Sequence, residues 1–155
     1  MLTVSDRVSR GEAADGSGDA LAELLEADGY TVVRRVVPDE GDQIASAIEE
    51  LASDAALVLT TGGTGVAPRD VTPEATRTVL EREVPGIAET LRATSIAKTP
   101  HGLLSRGVAG VRGSALIVNL PGSTGGCRDG YAILRPALDH ALSLLSDEPT
   151  HHQQT

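Results

Sequence analysis

The stretch 57–70, reading LVLTTGGTGVAPRD, limits the possible folds of this chain more than any other segment. It opens on an apolar run, Leu57-Val58-Leu59-Thr60, bounded by turn residues, which is the pattern of a strand buried on both faces in a parallel sheet. Hydrophobicity then stops at Gly62, Gly63, Thr64 and Gly65, where side chains are sparse and main-chain N–H groups can close on an anion such as phosphate. Asp70 brings a carboxylate to the same edge, and Thr72-Pro73-Glu74 supplies an N-cap, a first-turn proline and an acid to start a helix. The order strand, glycine loop, carboxylate, helix is that of an α/β protein.

The flanking chain repeats this alternation. Residues 1–5 read as a short strand ending at Ser5 and Asp6, and 11–18 as a flexible polar loop in which Ser17 caps a helix with Leu21, Leu24 and Leu25 on one face. Residues 30–37 are rich in β-branched side chains and end at Pro38-Asp39-Glu40; Ile44, Ala47, Ile48 and Leu51 then recur at helical spacing. After a helix over about 73–83, Pro85-Gly86 breaks the chain and 87–97 read as another helix, whose hydrophobic residues are candidates for core or for a subunit contact. Residues 99–113, with Pro100, Gly102, Gly107, Gly110 and Gly113, read as an irregular surface segment near the site or at a subunit contact. Residues 114–120 are the last strand. Pro121 to Gly126 form a second glycine-rich turn, followed by a long helical pattern that Pro136 should kink or divide. We expect a three-layer α/β/α fold with a mostly parallel central sheet, one domain over 1–146, and a disordered tail over 147–155.

In such sheets ligands sit beyond the carboxyl ends of the strands. Ser5-Asp6, Asp39-Glu40, residues 62–70 and residues 121–126 each follow a different strand, so folding should gather them on one rim. Amide-rich loops favour phosphate while Asp39 and Asp70 repel it, and Mg²⁺ shared between the carboxylates and phosphate oxygens resolves the conflict. A metal-bound nucleotide is therefore favoured. The loop lacks the lysine of a P-loop, no dinucleotide fingerprint occurs, and residues 122–126 lack the spacing of a nucleophile elbow. Taken singly, each of these glycines and acids is equally at home in a plain turn or a helix cap.

Charge and composition exclude other classes. A net charge of -9, with Tyr30 and Tyr131 as the only aromatics, opposes a nucleic-acid binder. No window has the unbroken apolar length of a membrane span, and the lone Cys127 reads as a small buried residue at a helix start in a reducing, cytoplasmic setting.

With these residues in view, the chain resembles the MogA/MoaB family of molybdenum cofactor biosynthesis, including the G domain of plant Cnx and of gephyrin. The resemblance is carried by Thr3-Val4-Ser5-Asp6, Val37-Pro38-Asp39-Glu40, Thr61-Gly62-Gly63-Thr64-Gly65, the run from Pro68 to Thr76, Leu104-Ser105-Arg106 and Asn119-Leu120-Pro121-Gly122. It implies a molybdopterin adenylyltransferase, which uses Mg²⁺ and ATP to form adenylyl-molybdopterin and pyrophosphate. It also implies a homotrimer or a multiple of trimers, and contact with the metal-insertion protein of the same pathway. Carried over by position, Asp39 and Asp70 match the catalytic aspartates and candidate Mg²⁺ ligands. Ser5, Asp6, Gly62, Gly63, Thr64, Gly65, Ser114, Asn119, Pro121 and Gly122 match positions around nucleotide and pterin, with Ser105 and Arg106 at the pterin end. The family also contains non-catalytic molybdopterin-binding or trimeric scaffold paralogues, the alternative reading. Where many relatives carry Asn or Gln then Pro after Pro-Gly, this chain has Ser123-Thr124-Gly125-Gly126, expected to make a more flexible loop.

Overall fold

The computed structural model describes residues 1–146, so the tail expected over 147–155 lies outside the described residues. Strands β1 (Leu2–Val4), β2 (Arg35–Val37), β3 (Leu57–Thr61), β4 (Arg82–Glu83), β5 (Ala109–Arg112) and β6 (Ala115–Leu120) form one sheet in the order β2-β1-β3-β6-β5-β4. The first four in that order are parallel; β5 runs antiparallel to β6, and β4 antiparallel to β5. Helices α1 (Asp6–Ser9), α2 (Gly16–Ala27), α3 (Gly41–Asp54), α4 (Thr72–Val79), α5 (Pro85–Lys98) and α6 (Thr124–Leu145) connect them, with a 3₁₀ turn at Pro100–Leu104. This is the expected α/β/α architecture.

Period-two alternation along β3 and β6 divides the core. Leu59, Leu116, Val118 and Leu120 pack with Leu21 and Leu25 of α2 and Leu134 and Leu138 of α6. Val58 and Ile117 point the other way, to Ile44, Ile48 and Leu51 of α3 and Ala75 and Val79 of α4. Each buried leucine or isoleucine contributes about 1.5–3 kcal/mol relative to exposure, and a one-residue slip of β3 would send each set into the opposite half of the core, which is packed for the other. Because β2 is added on one side of β1 and β3 on the other, the order of strand addition reverses at β1, a switch point beyond whose carboxyl end ligands settle in the crevice of open α/β sheets.

Several local expectations change. Asp15, not Ser17, caps α2: its Oδ1 accepts from Gly18 N at 2.9 Å, and its Oδ2 accepts from the Thr3 hydroxyl at 2.8 Å. The β-branched run 30–37 contributes only Arg35–Val37 to the sheet, at its edge. The helix expected over 73–83 ends at Val79, since Glu81 N and Val84 N donate to Val111 O and Ala109 O and draw residues 82–83 into β4. The segment 99–113 divides in two: residues 99–106 stay mostly at the surface, as expected, whereas 107–111 are buried and supply β5 through Ala109, Gly110 and Val111. A Cβ on Gly110 would sit 2.5 Å from Arg82 O, so the glycine that reads as a strand breaker admits the neighbouring strand. Pro136 does not divide α6, which runs unbroken to Leu145. Of α5 only Ala88 is fully buried, and Ile96 is exposed.

Candidate functional site

The loop after β3 is shaped by two glycines in left-handed conformation, Gly62 (φ 98°) and Gly63 (φ 65°). The Thr72 hydroxyl, expected to cap α4, instead donates to Gly62 O at 2.9 Å, while Val71 occupies the cap position without a side-chain bond. Thr72 N donates to Gly63 O, so the helix start and the glycine turn hold each other. The amides of Gly63, Thr64 and Gly65 donate to no acceptor among the described residues. Across the crevice, the amides of Gly122 and Ser123 are equally unengaged. Ser123 caps α6 by accepting from Gly126 N at 3.1 Å, so the segment 123–126 is a capped helix start and not the flexible loop expected.

Both sets of amides line one cavity of about 670 Å³. Gly63, Thr64, Gly65, Asp70, Ser105, Asn119, Pro121 and Gly122 all border it, and an apolar wall comes from Ala88 and Leu91 of α5 and Ile133 of α6. Lys98, His101 and Asp129 also line it, with Lys98 Nζ 2.7 Å from Asp129 Oδ1. None of these three stands out in the sequence, because helical residues facing a cavity carry no local signal.

Behind Gly63 stands Asp39. A Cβ on Gly63 would lie 3.1 Å from Asp39 Oδ1, and Asp39 Oδ2 accepts from Asp6 N at 2.9 Å. Burial, followed by the negative charges of Asp6 and Asp70, pushes the Asp39 carboxyl above the usual carboxylate range. Asp70 uses Oδ2 to accept from Ala67 N at 3.0 Å. Asp39 Oδ1 and Asp70 Oδ1 take no hydrogen bond among the described residues, so each carboxylate keeps one oxygen for a ligand. The two aspartates singled out from sequence thus meet around one glycine turn.

Other expected site residues act differently. Arg106 does not present a free cation: Nε donates to Gly65 O at 2.6 Å, Nη2 to Asp70 O at 2.6 Å, and Nη1 pairs with Glu74. Its own amide donates to Thr64 O, so Arg106 clamps the glycine loop from behind. The Asn119 amide is buried and fully used, donating to Thr60 Oγ1 at 3.0 Å and Thr76 Oγ1 at 2.9 Å while accepting from Val108 N at 3.1 Å. Its side chain holds the cavity floor and is not available to a ligand. Asn119→Ala orphans the buried Val108 N–H and loosens two threonines, and should destabilise the fold by about 3 kcal/mol, seen as a lower denaturant midpoint at unchanged slope. Ser5 caps α1 by accepting from Val8 N at 3.3 Å. Ser114 is not brought to the cavity: it lies exposed in the turn joining β5 to β6, at the sheet edge opposite the glycine loops. Cys127 is buried as expected, 3.2 Å from Thr61 Oγ1, and burial raises its thiol pKa.

Among the described residues, no three of His, Cys, Asp and Glu gather into a ready-made metal site. Two free carboxylate oxygens nonetheless fit a hard divalent cation that takes the rest of its shell from phosphate and water.

Comparison with known proteins follows the same lines. Residues 1–140 match the family described as "Probable molybdopterin binding domain". The molybdopterin biosynthesis enzyme MoaB from Thermus thermophilus superposes with a TM-score of 0.87 at 49% identity, covering 96% of this chain and 95% of its own. Molybdopterin adenylyltransferase of Helicobacter pylori J99 is 38% identical over 94% of this chain and 85% of its own length. Gephyrin of Dictyostelium discoideum is 40% identical over 96% of this chain, which spans only 22% of that longer protein.

Proposed function

We propose a molybdopterin adenylyltransferase from a plain premise: this chain belongs to the family of probable molybdopterin-binding domains. The observation that carries the proposal is one cavity bordered by two sets of unengaged main-chain amides and by the half-free carboxylate Asp70, with the half-free carboxylate Asp39 directly behind Gly63 of the same glycine turn. Amides of this kind suit phosphate oxygens, and α6 adds the positive end of a long helix. An adenylyl transfer needs little covalent chemistry from protein, only alignment and charge stabilisation.

In this reading ATP and molybdopterin share the cavity. A terminal phosphate oxygen of molybdopterin attacks the α-phosphorus of ATP; the new P–O bond forms as the bond to the β-phosphate oxygen breaks, and pyrophosphate leaves. The amides of Gly63, Thr64, Gly65, Gly122 and Ser123 orient the phosphates, and Arg106 keeps the first loop in place. Ser105 and the apolar wall of α5 and α6 take the pterin end. Asp39 Oδ1 and Asp70 Oδ1 would hold Mg²⁺, which when bound neutralises phosphate charge. The same reading includes a cytoplasmic protein, assembly as a homotrimer or a multiple of trimers, and delivery of product to a metal-insertion protein. No helix among the described residues is long and apolar enough to cross a membrane.

Incubation with molybdopterin, ATP and Mg²⁺ should release pyrophosphate and adenylyl-molybdopterin in equal amounts, and chelation of Mg²⁺ should stop both. Tight molybdopterin binding without either product would replace the enzyme by a binding paralogue.

A further inference from the structure

We propose that Arg69 is a positioning residue: through Asp6 it ties the loop that carries Asp70 to the loop that carries Asp39. Its guanidinium grips Asp6 with two bonds, Nε to Oδ2 at 2.7 Å and Nη2 to Oδ1 at 2.9 Å, and Nη2 also reaches Glu40 Oε1 at 3.0 Å. Asp6 and Asp39 exchange bonds in turn, Asp6 N donating to Asp39 Oδ2 at 2.9 Å and Asp39 N to Asp6 Oδ1 at 3.1 Å. One carboxylate therefore joins three segments: β1 into α1, β2 into α3, and the glycine loop.

The charge pattern explains why the tie is needed. Asp6, Asp39, Glu40 and Asp70 converge from these segments, and Arg69 bonds to two of them, Asp6 and Glu40; Arg10, also near Asp6, is paired with Glu12 at 2.9 Å. Asp70 keeps its own turn through Asp70 N to Ala67 O and Ala67 N to Asp70 Oδ2, so removing Arg69 leaves that turn formed. What is lost is the anchor between the Asp70 turn and Asp39, while like charges push the two apart. A displacement of this kind changes reacting geometry more than ligand affinity, because the phosphate-facing amides are untouched.

The inference rests on the proposed role of Asp39 and Asp70 in the transfer, and two readouts separate its failure from failure of that reading. In the unliganded protein, hydrogen exchange at the amides of Asp6 and Asp39 should be about tenfold faster in Arg69→Met, with β3 and α4 unchanged. In turnover, Arg69→Met should lower kcat by about 10–100-fold while KM for ATP and molybdopterin stays within about threefold. Arg69→Lys keeps the charge without the bidentate grip and should recover part of kcat. Adding Asp6→Asn to Arg69→Met should lower kcat little further, since both act through one link. Wild-type exchange at both amides overturns the proposal whatever the activity, and so does faster exchange with unchanged kcat. Full activity in Asp70→Asn would overturn the underlying reading by itself.

Discussion

Replacing Asp70 with asparagine is expected to leave the protein folded, able to bind molybdopterin, and slower in adenylyl transfer by on the order of 100-fold or more. The fold should survive because the local demand on Asp70 is one acceptor for Ala67 N, and the carboxamide oxygen of asparagine meets it. The Asp70 main chain also stays bonded, its amide to Ala67 O and its carbonyl to Arg106 Nη2. What asparagine cannot supply is the second, unengaged anionic oxygen of a carboxylate that borders the cavity beside Gly65. Charge in the transition state spreads over phosphate oxygens, so a group that organises a cation there acts on kcat more than on binding. Pyrophosphate release at saturating ATP and molybdopterin, with an equilibrium measurement of molybdopterin affinity beside it, reads the two effects separately. Undiminished turnover removes Asp70 from the chemistry. An equal loss of binding and turnover would make it a ligand contact instead.

What the sequence made legible was local: β3 as a short apolar run, α3 as a helical stripe, and a rim where each polar cluster follows a strand. These features depend on period and on punctuation by glycine and proline, which a chain displays residue by residue. Less legible were features set by partners far along the chain. Arg106 reads as a substrate cation until its bonds to Gly65 and Asp70 are seen, and Asn119 as a ligand contact until Thr60, Thr76 and Val108 are found around its amide. Strand β5 was hidden for a similar reason. Gly107, Gly110 and Gly113 resemble loop residues, whereas Gly110 is small because Arg82 O of the neighbouring strand needs the space. Arg69 carries no signal of its own, since a single arginine in a loop has no pattern to betray that it bridges Asp6 and Glu40.

The glycine turn itself should be the least tolerant point of the fold. Gly62→Ala is expected to destabilise the protein by about 3–5 kcal/mol, a large part of the roughly 5–15 kcal/mol that holds a domain of this size. Two penalties coincide there. A residue with a Cβ at φ 98° is strained by about 1–3 kcal/mol whatever surrounds it. The added Cβ would also lie 2.2 Å from Val4 O, a main-chain atom of a strand hydrogen-bonded on both sides, so relief requires moving β1 and with it Ser5 and Asp6. Gly11 separates the terms, since it too has positive φ, 71°, but nothing lies within 4 Å of its would-be Cβ. Gly11→Ala should therefore cost only about 1 kcal/mol of stability. Urea unfolding of the two variants against the parent measures the difference directly. If Gly62→Ala unfolds no earlier than Gly11→Ala, β1 and the glycine turn are not packed in the close register that brings Asp39 against Gly63, and the shared site loses its geometric basis.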